Sequence, residues 1–265
     1  MARGARLGQH FLIHAWAART LAHAAEPKAS EVIVEIGPGK GVLTRELLAL
    51  GNVVAIEKDT ALVARLRETF ASEIAAGQLA LIEGDVRDFD PASLGKPYVL
   101  SANIPYYITG EIIRHFLTAR TQPRAMALLI QKEVARRIVS EKQSILSLSV
   151  RAFGSPKVVA KVSKSHFSPP PSVDSAIIAI SDISKHFFES IDEASFFAVV
   201  RAGFASKRKF AANNLAVAFE KERVTNAFAR CGIPLNARAE DIAIDQWRAL
   251  TEVLAGETTG MSRAS

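Results

Sequence analysis

The chain has 265 residues, of which 49% are hydrophobic and 23% are charged, and its formal net charge is +6 at pH 7. This composition excludes a mainly disordered chain, and the length suits one large domain with a small appendage. No apolar run approaches the roughly 18 residues of a membrane span, and residues 1–9 lack the apolar core of a secretory signal, so we expect a cytoplasmic protein.

Short apolar, β-branched runs alternate with helix-like stretches through the first half of the sequence. The predicted strands are residues 31–36, 53–57, 79–82, 98–102 and 126–130. The helices predicted after them are residues 41–50, 60–71, 110–119 and 132–139. Repeated strand–helix units predict an α/β fold with a mostly parallel, Rossmann-like sheet.

Three further β-like runs follow with little room for helices between them, at residues 145–153, 157–162 and 173–180. We expect them to close the sheet as antiparallel strands. From Asp192 onward the apolar residues recur at helical spacing. The sequence therefore predicts a first domain over residues 1–185, a small all-helical C-terminal domain over residues 190–256 and a flexible tail over residues 257–265.

Charge is distributed unevenly along the chain. Residues 26–113 carry 13 carboxylates against eight Lys and Arg side chains, whereas residues 114–166 carry 11 Lys and Arg side chains against only two carboxylates. Such an excess is found on ordinary solvated surfaces as well as on faces that bind polyanions. The single cysteine, Cys231, has no Cys or His nearby at metal-ligand spacing, so the sequence indicates neither a disulfide nor a metal site.

Glycines follow the first predicted strand in the run Glu35-Ile-Gly37-Pro-Gly39-Lys-Gly41. Such a loop lets a ligand approach the backbone closely, although by itself it is also typical of a tight turn. Glu57, at the end of the next strand, is placed to accept both ribose hydroxyls of an adenosine. Asp85 follows the third strand and could accept from the adenine amine or simply cap a turn. The pattern favours S-adenosylmethionine over NAD, because it lacks the pyrophosphate fingerprint.

The run Asn103-Ile104-Pro105-Tyr106 ends the fourth predicted strand, at the edge where open α/β sheets place their ligands. The Asn103 side-chain oxygen and the Ile104 carbonyl could each accept one N–H of an adenine amine, while Pro105 keeps Ile104 extended. Tyr106 could stack on an extruded base. The alternative is a buried strand end in which Tyr106 serves only for packing.

These motifs and others resemble the ribosomal RNA adenine-N6,N6-dimethyltransferases that act on small-subunit rRNA. The similarity covers nearly the whole chain, through LGQHFL at 7–12, VEIGPGKG at 34–41, AIEKD at 55–59, NIPYYIT at 103–109, LIQKEVARRIV at 129–139, FSPPPSVDSA at 167–176, FASKRKFAANNL at 204–215 and RAEDIAIDQW at 238–247. It implies a class I methyltransferase domain that dimethylates two adjacent adenosines near the 3′ end of that rRNA.

The resemblance also implies roles for individual residues. The S-adenosylmethionine site would be lined by His10, Leu12, Gly37, Gly39, Glu57, Asp85 and Asn103. The target amine would be held by Asn103, Ile104, Pro105 and Tyr106, and the target adenine would stack on Tyr106 and Phe167. The expected partner is small-subunit rRNA or a precursor of the small subunit, and we expect a monomer with no metal and no membrane contact.

Three other functions remain open at this level: a non-catalytic RNA-binding assembly factor, a large-subunit rRNA methyltransferase of the antibiotic-resistance type, and a nicotinamide dehydrogenase, which the glycine pattern disfavours. Tyr107 and the short turn at residues 140–144 depart from the family pattern. We expect RNA phosphates to contact the basic segment 114–166, with contributions from Arg3, Arg6 and residues 207–209.

Overall fold

A computed structural model of the protein describes residues 10–256. Its strands are β1 (Phe11–Leu12), β2 (Val32–Ile36), β3 (Val53–Glu57), β4 (Leu79–Glu83), β5 (Tyr98–Asn103), β6 (Met126–Gln131), β7 (Ser155–Val162), β8 (Phe167–Ser168) and β9 (Ser175–Ser181). The α-helices are α1 (Ala15–His23), α2 (Val42–Leu48), α3 (Thr60–Thr69), α4 (Ala71–Ala75), α5 (Thr109–Thr118), α6 (Lys132–Val139), α7 (Ile145–Arg151), α8 (Glu193–Gly203), α9 (Ala211–Leu215), α10 (Lys221–Arg230) and α11 (Ile244–Gly256). The expectations for Arg3, Arg6 and the tail lie outside the described residues.

Seven strands form one sheet in the order β4-β3-β2-β5-β6-β9-β7. Neighbours among β2 to β6 are parallel, and β9 and β7 pair antiparallel at the end of the sheet. The α/β prediction with antiparallel closure is confirmed. Because the strands are parallel, the carboxyl ends of β2, β3, β4 and β5 share one edge, where ligands of open α/β sheets bind.

The core explains why the central strands read as continuous apolar runs. Ile33 and Val34 of β2 are at most 1% exposed, since helices cover both faces of a parallel sheet. Helix α1 packs against α2 and β6, and its Leu21 has no exposed area. Burial of one such leucine stabilises the fold by roughly 1.5–3 kcal/mol.

The prediction of a strand over residues 145–153 is wrong, because Ile145–Arg151 forms α7. The alternating apolar and serine residues suggest a strand, but Ser144 starts a helix with a capping box. The Ser147 backbone N–H donates to the Ser144 hydroxyl at 3.1 Å, and the Ser144 N–H donates to the Ser147 hydroxyl at 2.7 Å. Two amides at the helix N-terminus are thereby satisfied, which stabilises the helix by about 1 kcal/mol.

The chain is organised as two compact units. The first extends to Arg136 and includes Gly154–Ser184, and the second joins Arg137–Phe153 to the chain from Lys185 onward. This division differs from the predicted boundary in one segment, since α7 groups with the later helices. Aromatic packing explains why this segment groups with the later helices. The centroid of the Phe153 ring lies 5.0 Å from that of Phe188 and 6.3 Å from that of Phe197. No helix among residues 10–256 is both long and apolar enough to span a membrane.

Candidate active site

The glycine loop connects β2 to α2 and adopts a backbone that side chains would strain. Gly37, Gly39 and Gly41 have φ angles of +63°, +58° and +79°. A Cβ on Gly39 would lie 2.9 Å from the Phe11 ring, and one on Gly41 would lie 2.5 Å from the Phe70 ring. Glycine is therefore required at Gly37 for its conformation, and at Gly39 and Gly41 both for its conformation and for its lack of a side chain.

Glu57 ends β3 and connects that strand to the glycine loop. Its carboxylate is buried, with 5% of the residue exposed, and it accepts hydrogen bonds from the Gly39 N–H at 3.1 Å and the Asp59 N–H at 3.0 Å. A carboxylate offers about four lone-pair sites, so these two bonds leave acceptor capacity for two hydroxyls. Glu57 lies at the carboxyl end of β3, as the sequence predicts. By accepting from the Gly39 N–H it also holds the glycine loop in place, a role that the sequence did not indicate.

Asp85 precedes a 3-10 turn over Val86–Asp88, and its side chain caps that turn by accepting from the Arg87 N–H at 3.0 Å. The carboxylate also pairs with Lys58 Nζ at 2.8 Å and with the Arg87 guanidinium. These two cations, Arg87 first, hold the pKa of Asp85 well below its usual range. Both oxygens are thus engaged, so a bound adenine amine would compete with the ion pairs for them.

Asn103 ends β5, and it lines a cavity that Gly37, Gly39 and Glu57 also line. Its amide nitrogen donates to the His10 carbonyl at 3.1 Å, so the amide oxygen is the group that can accept from a ligand. Ile104 is buried and donates its N–H to the Leu129 carbonyl at 3.2 Å. Pro105 follows with φ of −56° and ψ of 130°. The backbone of the motif is therefore fixed on both sides of the Ile104 carbonyl.

Tyr106 is half-buried, and its hydroxyl hydrogen-bonds the Ser175 hydroxyl at 2.7 Å. Burial raises the pKa of this phenol, so it stays protonated at neutral pH. The ring lies 5.9 Å from that of His10, whose Nδ1 donates to the Pro169 carbonyl at 2.8 Å. Tyr106 and His10 thus present two fixed aromatic faces beside Asn103.

A two-stranded ribbon of β1 and β8 brings the predicted stacking residue to the site. Phe11 pairs with Ser168 and Leu12 pairs with Phe167, in antiparallel register. Phe167 lines the cavity but is only 3% exposed, so its ring belongs to the cavity wall. Leu12 is buried too, and it lines a small adjoining cavity with Gly37 and Gly39 instead of the large one.

One cavity of about 410 Å³ brings these groups together, within the range of small-molecule sites. Of the predicted site residues, its lining includes His10, Gly37, Gly39, Glu57, Asp85, Asn103, Ile104, Pro105, Tyr106 and Phe167. Sequence reasoning did not assign the other lining residues, among them Phe11, Ile36, Ile56, Lys58 and Arg87. Ile36 and Ile56 could have been found, because each lies at the end of a strand directly beside a predicted site residue.

Glu35 lies in β2 beside the cavity-lining Ile36 and is completely buried. Neither of its carboxyl oxygens has a hydrogen-bond partner among the described residues. Burial raises the pKa of Glu35 to about 8, and the nearby Thr44 hydroxyl opposes the shift only in part, without a hydrogen bond of good geometry. The group is therefore mainly protonated at pH 7 in the folded protein.

We expect Glu35→Gln to remove a pH dependence of stability. The folded state keeps a proton that the unfolded chain releases above its ordinary pKa of 4.5, so the contribution of Glu35 to stability falls as pH rises from 4.5 to about 8 and then levels off. Between pH 5.5 and 8 this group accounts for a loss on the order of 3 kcal/mol, which the glutamine variant should not show. Urea unfolding of the two proteins without cofactor measures it, and parallel pH profiles would contradict the expectation.

Comparison with known proteins gives one consistent result. The family model described as "Ribosomal RNA adenine dimethylase" matches residues 3–256. The "Ribosomal RNA small subunit methyltransferase A" of Dehalococcoides mccartyi is 40% identical over 252 residues, covering 92% of this chain and 86% of that protein. The protein of the same name from Moorella thermoacetica is 36% identical over 264 residues, covering 93% of this chain and 91% of that one.

Solved structures agree in fold. The 23S rRNA methyltransferase ErmE superposes with a TM-score of 0.74 at 26% identity, over 92% of this chain and 99% of that one. A dimethyladenosine transferase from Plasmodium falciparum superposes with a TM-score of 0.77 at 24% identity, over 91% and 96% of the two chains. The family match extends over both compact units and includes every residue that lines the cavity. The chain thus belongs to the ribosomal RNA adenine dimethylase family.

Proposed function

We propose that this protein transfers methyl groups from S-adenosylmethionine to the N6 amine of adenosines in small-subunit rRNA, twice on each of two adjacent adenosines near the 3′ end. The observation that carries the proposal is the position of Asn103 and Tyr106 on the wall of a cavity that the glycine loop and Glu57 also line. We further propose that the substrate in the cell is rRNA within an assembling small subunit, and that the enzyme acts as a cytoplasmic monomer.

The residues of the cavity fit S-adenosylmethionine. Gly37 and Gly39 allow close approach of its amino-acid portion, and Glu57 retains acceptor sites for the ribose hydroxyls. The side chains of Ile36 and Ile56 add apolar surface to the lining, against which the flat adenine can pack. When bound, the cofactor supplies an electrophilic methyl group on a positively charged sulfur.

The chemistry of the target amine explains the Asn103 motif. The nitrogen lone pair of adenine N6 is delocalised into the ring, so the amine is a poor nucleophile. If Asn103 Oδ1 and the Ile104 carbonyl each accept one N–H, they hold the nitrogen in a geometry from which its lone pair can attack. Tyr106 would hold the base by stacking. The nitrogen would bond to the methyl carbon as the carbon–sulfur bond breaks to leave a neutral thioether, and the cationic nitrogen would then release its proton to water. The protein thus contributes mainly by positioning.

A second candidate is methylation of large-subunit rRNA, favoured by the structural likeness to ErmE. A third is assembly of the subunit without catalysis. Mass mapping of N6,N6-dimethyladenosine in both rRNAs, from cells with and without the gene, separates them. We expect the mark in small-subunit rRNA only when the gene is present. A mark in large-subunit rRNA would favour the second candidate, and a gene-dependent assembly defect with no gene-dependent mark would favour the third.

The exposed face of α6 supports the proposed contact with RNA. Arg136 and Arg137 are both exposed, as is Lys132, whereas Ala135 and Ile138 are buried. The side chain of Arg136 is 80% exposed, and its ion pair with Glu133 is long, at 4.0 Å. An exposed pair with that geometry contributes little, so the guanidinium can pair with a phosphate instead.

We expect the double variant Arg136→Glu/Arg137→Glu to weaken rRNA binding and flatten its salt dependence. Loss of two phosphate contacts should reduce the slope of log K against log salt by about 1.5 to 2. The control is Arg65→Glu/Arg67→Glu on α3, which changes the net charge equally on the exposed face of another helix. Filter binding at several salt concentrations measures both, and equal effects of the two variants would show that only net charge matters.

A further inference from the structure

An exposed aromatic cluster lies at the end of the β1–β8 ribbon. The rings of His14 and His166 stack with centroids 4.0 Å apart and an interplanar angle of 18°. The Trp16 indole meets both edge-on, at 6.4 Å from His14 and 6.0 Å from His166. None of the three lines the large cavity, and the proposed methyl transfer assigns them no role.

The exposure of Trp16 is unusual for this residue type. Its relative exposure is 48%, and that of the neighbouring Ile13 is 51%. The chain has two tryptophans, and the other, Trp247, is fully buried. Tryptophan is highly buried on average, and where its face is open it commonly forms a binding surface. His14 precedes α1 without a side-chain capping bond, so its ring does not serve the helix.

The backbone holds this cluster close to the cavity. The Ile13 N–H donates to the His166 carbonyl at 2.9 Å, directly beyond the paired residues Leu12 and Phe167. Phe11 and Phe167 line the cavity, so the cluster begins one to three residues further along the same two chain segments. At about 3.3 Å per extended residue, His166 and His14 lie roughly 3–10 Å along the backbone from Phe167 and Phe11. The Trp16 ring lies 6.0 Å from the His166 ring and 6.4 Å from the His14 ring. A nucleotide adjacent to one held in the cavity can reach it.

The charges around the cluster suit an unpaired base and its phosphate. Burial, and secondarily the neighbouring His14, lower the pKa of His166, so its ring is mainly neutral at pH 7 and offers an aromatic face. Two cations lie close to the ribbon segments that carry the cluster. Lys164 is exposed in the same 3-10 turn as His166, and Lys40 lies over the Phe11 ring at 5.0 Å from its centroid. Aromatic faces beside cationic side chains are the features that bind single-stranded RNA.

We propose that Trp16, supported by the His14–His166 stack, is a platform for an unpaired base of the rRNA next to the target adenosine. This inference rests on the proposed function and extends it from the reacting base to its neighbour. The platform positions the substrate strand and makes no contact with the reacting atoms. It would act mainly on substrate affinity, since stacking on it is the same before and during methyl transfer.

The test uses Trp16 both as binding residue and as reporter. A single-stranded oligoribonucleotide with the 3′-end sequence of small-subunit rRNA should quench tryptophan fluorescence, and the quenching should disappear in Trp16→Phe, which keeps only the buried Trp247. In methylation assays with small subunits isolated from cells that lack the gene, Trp16→Leu should raise KM about 5- to 150-fold, the range for one base–aromatic stack, with kcat nearly unchanged. Trp16→Phe should retain most of the affinity, because it keeps an aromatic face.

The matched control is Ile82→Ala, which removes a 38% exposed apolar side chain of the same unit on the edge strand β4 and should leave KM unchanged. Thermal unfolding verifies that each variant is folded. If the wild type methylates the substrate but shows no quenching, and Trp16→Leu leaves KM unchanged, the platform is overturned and the proposed function stands. Absence of methylation by the wild type would overturn the proposed function, while quenching would still report the platform. A dimer in light scattering that Trp16→Leu abolishes would assign the cluster to self-association instead.

Discussion

We expect Asn103→Ala to lower kcat for methyl transfer by about 100- to 1,000-fold, the loss found when one pre-positioned hydrogen-bonding group is removed from a reaction centre. The side chain is held by its N–H donation to the His10 carbonyl, so its oxygen has a defined direction. Alanine leaves the target amine with one acceptor, the Ile104 carbonyl, and its lone pair stays in conjugation with the ring. The affinity for S-adenosylmethionine should change little, because Glu57 and the glycine loop are untouched.

Single-turnover methylation and a calorimetric titration with the cofactor measure the two quantities separately. Asn103→Gln carries the same groups one methylene further out and should also be slow, since the reaction depends on where the amide oxygen lies. Asn52→Ala removes an exposed amide that precedes β3, at the opposite end of the sheet, and should leave both quantities unchanged. Unchanged turnover in Asn103→Ala would refute the assignment, and a parallel loss of cofactor affinity would place Asn103 in the cofactor site.

The parts of the fold that the sequence predicts are those determined by local pattern. The strand before Gly37 is apolar apart from Glu35, and the strand that ends at Glu57 is apolar up to that residue. A parallel sheet brings their carboxyl ends to one edge whatever the rest of the chain does. Residues 145–153 were predicted wrongly because the deciding signal was a serine capping box rather than the alternation of apolar residues. Length alone does not separate a seven-residue helix from a strand.

Contacts between distant segments were not predictable in this way. Each strand of the β1–β8 ribbon has two residues, with Phe11 paired to Ser168. Two residues are too few to show the alternation of apolar and polar residues that is typical of a strand. That ribbon makes Phe167 part of the cavity wall, although the prolines that follow suggest an exposed loop. The ion pairs of Asp85 were easier to predict from the sequence. Lys58 is next to the predicted site residue Glu57, and Arg87 is two residues from Asp85 itself.

The second large effect is expected at Glu57, where alanine should weaken S-adenosylmethionine binding by about 100-fold or more. The alanine variant would lose two hydrogen bonds between the carboxylate and the ribose hydroxyls, each contributing about 1.5–3 kcal/mol. The substitution would also leave the Gly39 and Asp59 N–H groups without their acceptor, so the glycine loop would keep its backbone bond from the Gly37 N–H to the Ile56 carbonyl of β3 but lose the bond to the Glu57 side chain. Glutamine does not restore the site fully, because its NH₂ faces one of these two donors.

Glu83 provides the matched control for this change. It pairs with Glu57 in the register of β3 and β4, ends its strand in the same way, and lies outside the lining of the cavity. Its side chain is 39% exposed and pairs with Arg67 at 3.8 Å. Calorimetric titration should therefore give a wild-type Kd for Glu83→Ala and a Kd at least about 100-fold higher for Glu57→Ala. Similar values for the two variants would show that strand-end carboxylates act here through general charge, whereas a loss confined to Glu57→Ala identifies the ribose acceptor.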